Sequence, residues 1–185
     1  MKTSKVKREI QVADQQVPIQ LQDFILFDYW SLKVYYECRE NSKEELSMDF
    51  KDHGKEPYVL NIEDATEENS NFRTTIWTGE NLQVTLMSVE PGDDLGLEKH
   101  EGDQFLRIED GKGFVQMGDS EDNLTFEENA GEDYAIMIPA GKYHNVTNNG
   151  DELLKIYSIY APPEHPVGTV HKTKAEADAA EEEEE

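Results

Sequence analysis

Apolar and polar residues alternate with a period of two over much of the middle of the chain. The alternation predicts strands over residues 58–62, 73–77, 82–89, 104–109, 114–117, 134–138 and 153–160, with Val146 on a further short one. Gly79, Pro91-Gly92, Gly111-Lys112-Gly113, the polar run 119–123, Pro139 with Gly141, and Pro162-Pro163 separate them. Short strands punctuated in this way indicate an all-β sandwich or barrel. No strand–helix–strand rhythm is visible, which argues against a parallel nucleotide-binding sheet. Residues 63–71 are acidic and polar and read as a turn or one helical turn.

The ends follow other patterns. Residues 1–20 are polar and predict an arm. Leu21, Phe24, Ile25, Phe27 and Asp28 suit a short helix, and residues 33–38 suit a strand. Residues 39–57 form a charged connector. The expected division is an N-terminal extension over 1–57, packed on the barrel or on a partner subunit, then a barrel over 58–166, then a C-terminal segment over 167–185. In that segment Thr173 is placed to cap a helix over 174–180. The five closing glutamates repel one another and are expected to be disordered.

Composition narrows the partners. The 185 residues suit one domain. Lys and Arg number 17 against 41 Asp and Glu, a formal charge of -24. Such a surface repels phosphate backbones and anionic lipid, so neither nucleic acid nor membrane is an expected partner. The one cysteine, Cys38, permits no disulfide within the chain and reads as a packed thiol. No apolar run of about 18 residues and no secretory signal is visible, and a cytoplasmic location is expected.

The chemistry concentrates between Gly92 and Asn148. Glu98 and His100 are two apart, so a strand would point both to one side and Lys99 away. Gln104 follows four residues later, after a bend at Gly102. Pro139-x-Gly141-x-x-His144 makes a turn and then presents an imidazole. In a barrel, Glu98, His100, Gln104 and His144 could converge as an open metal site. Two imidazoles and one carboxylate are a donor set found in non-haem Fe(II) sites, and Mn(II) or Ni(II) tolerate it. A structural zinc site would use Cys or more His. His165 and His171 either reach the barrel mouth as general acids or bases or sit on loops without a chemical role. Tyr143, with His165 a candidate for the catalytic role, and Tyr160 either line a pocket and hydrogen-bond a ligand or fill the barrel. Arg107 has odd parity with Gln104 and should face away, and no basic cluster suited to a sugar phosphate stands near the motifs.

The two half-motifs resemble those of the cupin superfamily. In its first motif a Gly and five residues precede His-x-His, and a Glu and a closing Gly follow. Here Gly92 leads, Glu98 and His100 take the His positions, Gln104 takes the Glu position and Gly111 closes. Pro139, Gly141, His144 and Asn148 match each fixed place of the second motif. Gln104-Phe105-Leu106-Arg107-Ile108-Glu109 and the run from Tyr157 to Pro166 are similar to small stand-alone bacterial cupins related to mannose-6-phosphate isomerase. The resemblance implies a jelly-roll barrel, a homodimer and a divalent metal inside the barrel.

The departures carry information. Glu98 stands where the family has its first His, and Gln104 where it has Glu. The swap keeps one carboxylate and leaves two imidazoles, which shifts preference toward Mn or Fe, with Ni or Zn as alternatives. Gln104 either ligates or orients a water behind the metal. Three functions follow as expectations. One is a metal-dependent isomerase or oxygenase acting on a small polar metabolite such as a sugar or organic acid. The second is a non-catalytic ligand-binding module, and the third a structural cupin without metal.

Overall fold

The structure, a computed structural model, describes residues 50–184. The helix and strand expected within 21–38, Cys38, and most of the N-terminal extension lie outside the described residues. In chain order the elements are helix α1 (Ile62–Glu68), strands β1 (Arg73–Thr78), β2 (Gln83–Val89), β3 (Glu98–Lys99), β4 (Asp103–Asp110), β5 (Lys112–Gly118), β6 (Phe126–Gly131), β7 (Ala135–Ile138), β8 (Tyr143–Asn148), β9 (Leu154–Ala161) and β10 (Val170–His171), and helix α2 (Lys174–Glu184). The strands form two antiparallel sheets, ordered β10-β1-β2-β9-β4-β7 and β3-β8-β5-β6. This is the jelly-roll architecture expected.

Alternation sets the interior. Leu106 and Ile108 of β4, Val146 of β8, and Leu154 and Ile156 of β9 point inward and are fully buried. They pack with Met87, Val89, Val115, Met117, Ile136 and Ile138 into one core. Each such side chain contributes about 1.5–3 kcal/mol on burial. Along the same strands the inward face then turns polar: Gln83 and Thr85 on β2, Gln104 on β4, His144 on β8, and Ser158 with Tyr160 on β9 are all buried. Cross-strand register holds this end level, because Tyr160 pairs with both Gln83 and Gln104, and Ser158 pairs with Thr85. Buried polar groups need partners, so this end of the interior is where a site belongs.

The outer face of the larger sheet is covered in part by α1. Ala65 packs with Ile76 and Leu86, joined by Phe50, Leu60, Ile62, Val84 and Tyr157. This corrects two sequence expectations. Residues 58–62 are not a strand, and the acidic stretch after them is a full helix. Glu63 and Asp64 occupy its first turn, where carboxylates complement the helix dipole. Leu60, just ahead of the helix, and Ile62, its first residue, pack against Ala65, Ile76 and Leu86 rather than serving as alternating strand positions.

The apolar pattern predicts neither β6 nor β10. In β6 the first four residues are exposed, because it is a sheet edge held to β5 by backbone pairing. β10 is two residues long. The C-terminal end also differs from expectation: α2 continues through the glutamate run to Glu184. Thr173 does cap it, its Oγ1 accepting from the Glu176 N–H at 3.3 Å, and the Glu176 carboxylate accepts from the Lys172 N–H at 2.7 Å. Ala177 is 1% exposed within the core. Packing of that face and an ion pair described below hold a helix that repulsion alone would melt. No helix among the described residues is long and apolar enough to cross a membrane.

Candidate metal centre

Glu98 and His144 stand directly opposite each other in the antiparallel pair of β3 with β8. Cross-strand partners share a face, so both side chains enter the barrel. His100 lies two residues beyond Glu98 on the same side, and Lys99 between them is exposed as expected. The second half-motif is a turn: the Lys142 N–H donates to the Pro139 carbonyl at 3.2 Å, and Gly141 has φ +76°. That positive φ at the third turn position is why glycine sits there. The Gly141 N–H donates to the His100 carbonyl at 2.8 Å, so backbone joins the two half-motifs. Asn148 closes the strand behind them. Its Nδ2 donates to the carbonyls of Val89 (2.9 Å) and Glu152 (2.8 Å), and its Oδ1 accepts from the Gly150 N–H (2.9 Å).

Glu98, His100 and His144 each offer a donor atom, and these atoms lie within 4.8 Å of one another. Glu98 Oε2 is 3.2 Å from His100 Nε2 and 3.8 Å from His144 Nε2. His144 Nδ1–H donates to the Lys142 carbonyl at 3.0 Å, which leaves the lone pair on Nε2. That Nε2 is buried without a hydrogen-bond partner. Such an atom costs free energy unless something accepts its lone pair. The donor set therefore fits a divalent cation. His100 Nδ1 lies 3.1 Å from Glu164 Oε1, off the angle of a well-formed hydrogen bond.

Charge is balanced by residues distant along the chain. Arg73, 1% exposed, donates from Nη2 to Glu98 Oε1 at 2.9 Å and from Nη1 to Glu181 Oε1 at 2.9 Å. Burial works to raise the Glu98 pKa, but the hydrogen bond with His100 and the charge of Arg73 prevail and hold it below the usual carboxylate value. Burial works to lower His100, yet Glu98 and then Glu164 hold it above its ordinary value. Burial pushes His144 down, which keeps it neutral.

The other expected site residues divide. Gln104 is buried, its Nε2 donating to Ser158 Oγ at 3.1 Å and its Oε1 without a partner. It is brought to the same polar end as Glu98, His100 and His144. Tyr160 is brought in: its ring meets that of His100 at 5.3 Å and that of His165 at 5.1 Å, both edge-on. Burial, beside Glu98, raises its pKa. His165 also arrives. Gln83 holds its backbone by accepting from the His165 N–H (2.9 Å) and donating to its carbonyl (2.8 Å). Its Nε2 is buried without a partner, and burial, followed by the charge of Arg73, pushes its pKa down to about 3. Tyr143 is not brought in. It neighbours His144 on β8, so alternation sends its ring to the opposite face, where Lys99 Nζ lies 5.1 Å from it. His171 lies on β10 opposite Arg73. Arg107 faces away and pairs with Asp133 at 2.5 Å, as its parity required. Arg73 brings one basic side chain to the site, engaged by Glu98 and Glu181. The one legible signal was a charge opening the otherwise uncharged strand Arg73-Thr74-Thr75-Ile76-Trp77.

Comparison with known proteins agrees with this fold. The family profile described as "Cupin domain" matches residues 85–160. The uncharacterized protein YrkC of Bacillus subtilis (strain 168) is 56% identical over 142 residues, which are 76% of this chain and 76% of its own. The uncharacterized protein L612 of Acanthamoeba polyphaga mimivirus is 36% identical over 118 residues, 61% of this chain and 70% of its own. The crystal structure of BH2720 from Bacillus halodurans superposes with a TM-score of 0.69 at 61% identity, covering 70% of this chain and 98% of that one.

Proposed function

This chain belongs to the cupin family, and on that premise we propose that its barrel binds one divalent metal ion on Glu98, His100 and His144 and acts there on a small polar metabolite. One observation carries the reading: three donor atoms within 4.8 Å, one of them a buried imidazole nitrogen whose tautomer is fixed and whose lone pair is unmatched. One carboxylate with two imidazoles favours Mn or Fe over Ni or Zn. A cation so held supplies Lewis-acid polarisation of a carbonyl or hydroxyl oxygen.

The surrounding residues give that cation something to act on. Gln104 Oε1 and His165 Nε2 are buried acceptors without partners. Gln104 would accept from a ligand hydroxyl. His165, kept neutral, would accept a second hydrogen bond from the ligand, its ring steadied by Tyr160. This arrangement suits isomerisation or oxygenation of a sugar or organic acid. A metal-free structural cupin is the second reading, favoured by the ion pair of Arg73 with Glu98.

Elemental analysis of the purified, untagged protein tests the proposal. Near-stoichiometric Mn, Fe, Ni or Zn is expected, and its loss in a folded Glu98→Ala, His144→Ala variant. A wild-type protein that takes up none of the four after soaking overturns it.

A further inference from the structure

An arginine prefers to grip one carboxylate through two parallel N–H···O bonds. Arg73 does not. It spends Nη2 on Glu98 and Nη1 on Glu181, each at 2.9 Å, and its Nε has no partner. The side chain is 1% exposed, so water does not choose its partners. The effect falls on Glu98. Only Oε1 is engaged by the guanidinium, and Oε2 faces the two imidazoles at 3.2 and 3.8 Å.

We propose that Glu181, on the C-terminal helix, is a positioning residue of the metal centre. By holding Nη1 it turns the guanidinium so that only Nη2 meets Glu98 while Nε stays without a partner, and so leaves Oε2 to the cation. This rests on the metal-binding reading above. Helix α2 is built to deliver it. Ala177 and Glu181 are four residues apart and share a face, so the side that enters the core also brings Glu181 to Arg73. The Thr173 cap and the Lys174–Asp94 ion pair at 3.3 Å fix the start of the helix. Glu181 has a second effect of the same sign, because its charge offsets that of Arg73, which opposes a cation nearby.

The test is calorimetric titration of the full-length, metal-stripped protein with Mn(II), and with Co(II) as a second probe. Glu181→Gln should weaken binding about tenfold. The neighbouring exposed Glu182→Gln should not change it. In an Arg73→Met background the same Glu181→Gln change should alter affinity less than about twofold, because no fork remains to be held off. Arg73→Lys, which cannot fork, replaces Arg73→Met if that variant does not fold, as judged by its melting curve. Equal affinity of Glu181→Gln and wild type overturns the proposal, as does an equal loss with and without Arg73. Absence of Mn(II) and Co(II) binding in wild type is a different result: it overturns the metal-binding reading, and this inference with it.

Discussion

Arg73→Met, measured without metal, probes how far the buried charge network holds the fold. Glu98 is 10% exposed at its side chain and has Arg73 at 2.9 Å and His100 at 3.2 Å. Removing one partner of a buried ion pair costs about 3–5 kcal/mol, because the other charge remains buried. His100 still contacts Glu98, which places the loss near the lower end, about 3 kcal/mol. Against a total stability of about 5–15 kcal/mol that is a large fraction. Glu181 adds nothing to the loss, since it is 53% exposed and water solvates it. Arg73→Met with Glu98→Gln leaves no lone charge in the interior and should lose only about 1 kcal/mol. Acid should act in the same direction. In wild type the Glu98 pKa is held low, so its contribution is present above the unfolded carboxylate value and is lost as pH falls through the folded one. In Arg73→Met burial is less opposed and raises the folded pKa, so the folded state binds the extra proton and the deficit shrinks on acidification. Urea unfolding with chelator at pH 7.5 and 4.5 measures both. The reasoning is refuted if the single variant is as stable as the double, or if its deficit grows at the lower pH.

Metal uptake should displace a proton from His100, whose pKa is held above its ordinary value by Glu98 and Glu164 against burial. Mn(II) affinity is then constant at high pH and falls about tenfold per pH unit below that pKa. Glu164→Gln should move the break to lower pH, which calorimetry across about pH 5.5–8.5 would show. Asn148→Ala removes three hydrogen bonds at a 1%-exposed position and should cost about 2–4 kcal/mol in urea unfolding. A loss below about 1 kcal/mol would mean water replaces the amide. The outward row Trp77, Val84, Ile159, Phe105 and Met137 crosses five strands in register, and Met137 is 67% exposed. If this apolar row forms a homodimer interface, Met137→Glu should halve the mass measured by light scattering. An unchanged mass would reject this face as the contact.

The sequence carried the barrel because each long strand has one buried face, and a period of two survives in any reading of β4, β8 or β9. It carried Glu98, His100 and His144 because turn residues fix where a strand starts, and parity then fixes where its side chains point. The same parity, applied one residue further, excludes Tyr143, although proximity to the motif had favoured it. Long-range contacts were out of reach. Arg73 meets Glu181 across 108 residues, and Gln83 holds His165 across 82. No local pattern reports such pairs. The glutamate run was misread for a related reason: repulsion among like charges is local, whereas the packing of Ala177 and the cation facing Glu181 are supplied by the fold.

The departures from the cupin motif can now be weighed as charge rather than as lost ligands. Moving the carboxylate from the Gln104 position to Glu98 moves it from β4 to the β3–β8 pair, within reach of Arg73. Glu98 and Arg73 then cancel, and taken alone they would leave a neutral pocket that a dication has little reason to enter. Glu181 on Arg73 and Glu164 on His100 restore two negative charges at its edge. A formal charge of -24 reads, along the chain, as a solvated surface. At least two of those carboxylates lie against the site residues, and one of them belongs to the acidic C-terminal run. The C-terminal helix is therefore joined electrostatically to the candidate metal site through Arg73, and neutralising Glu181 should be read in the affinity of that site.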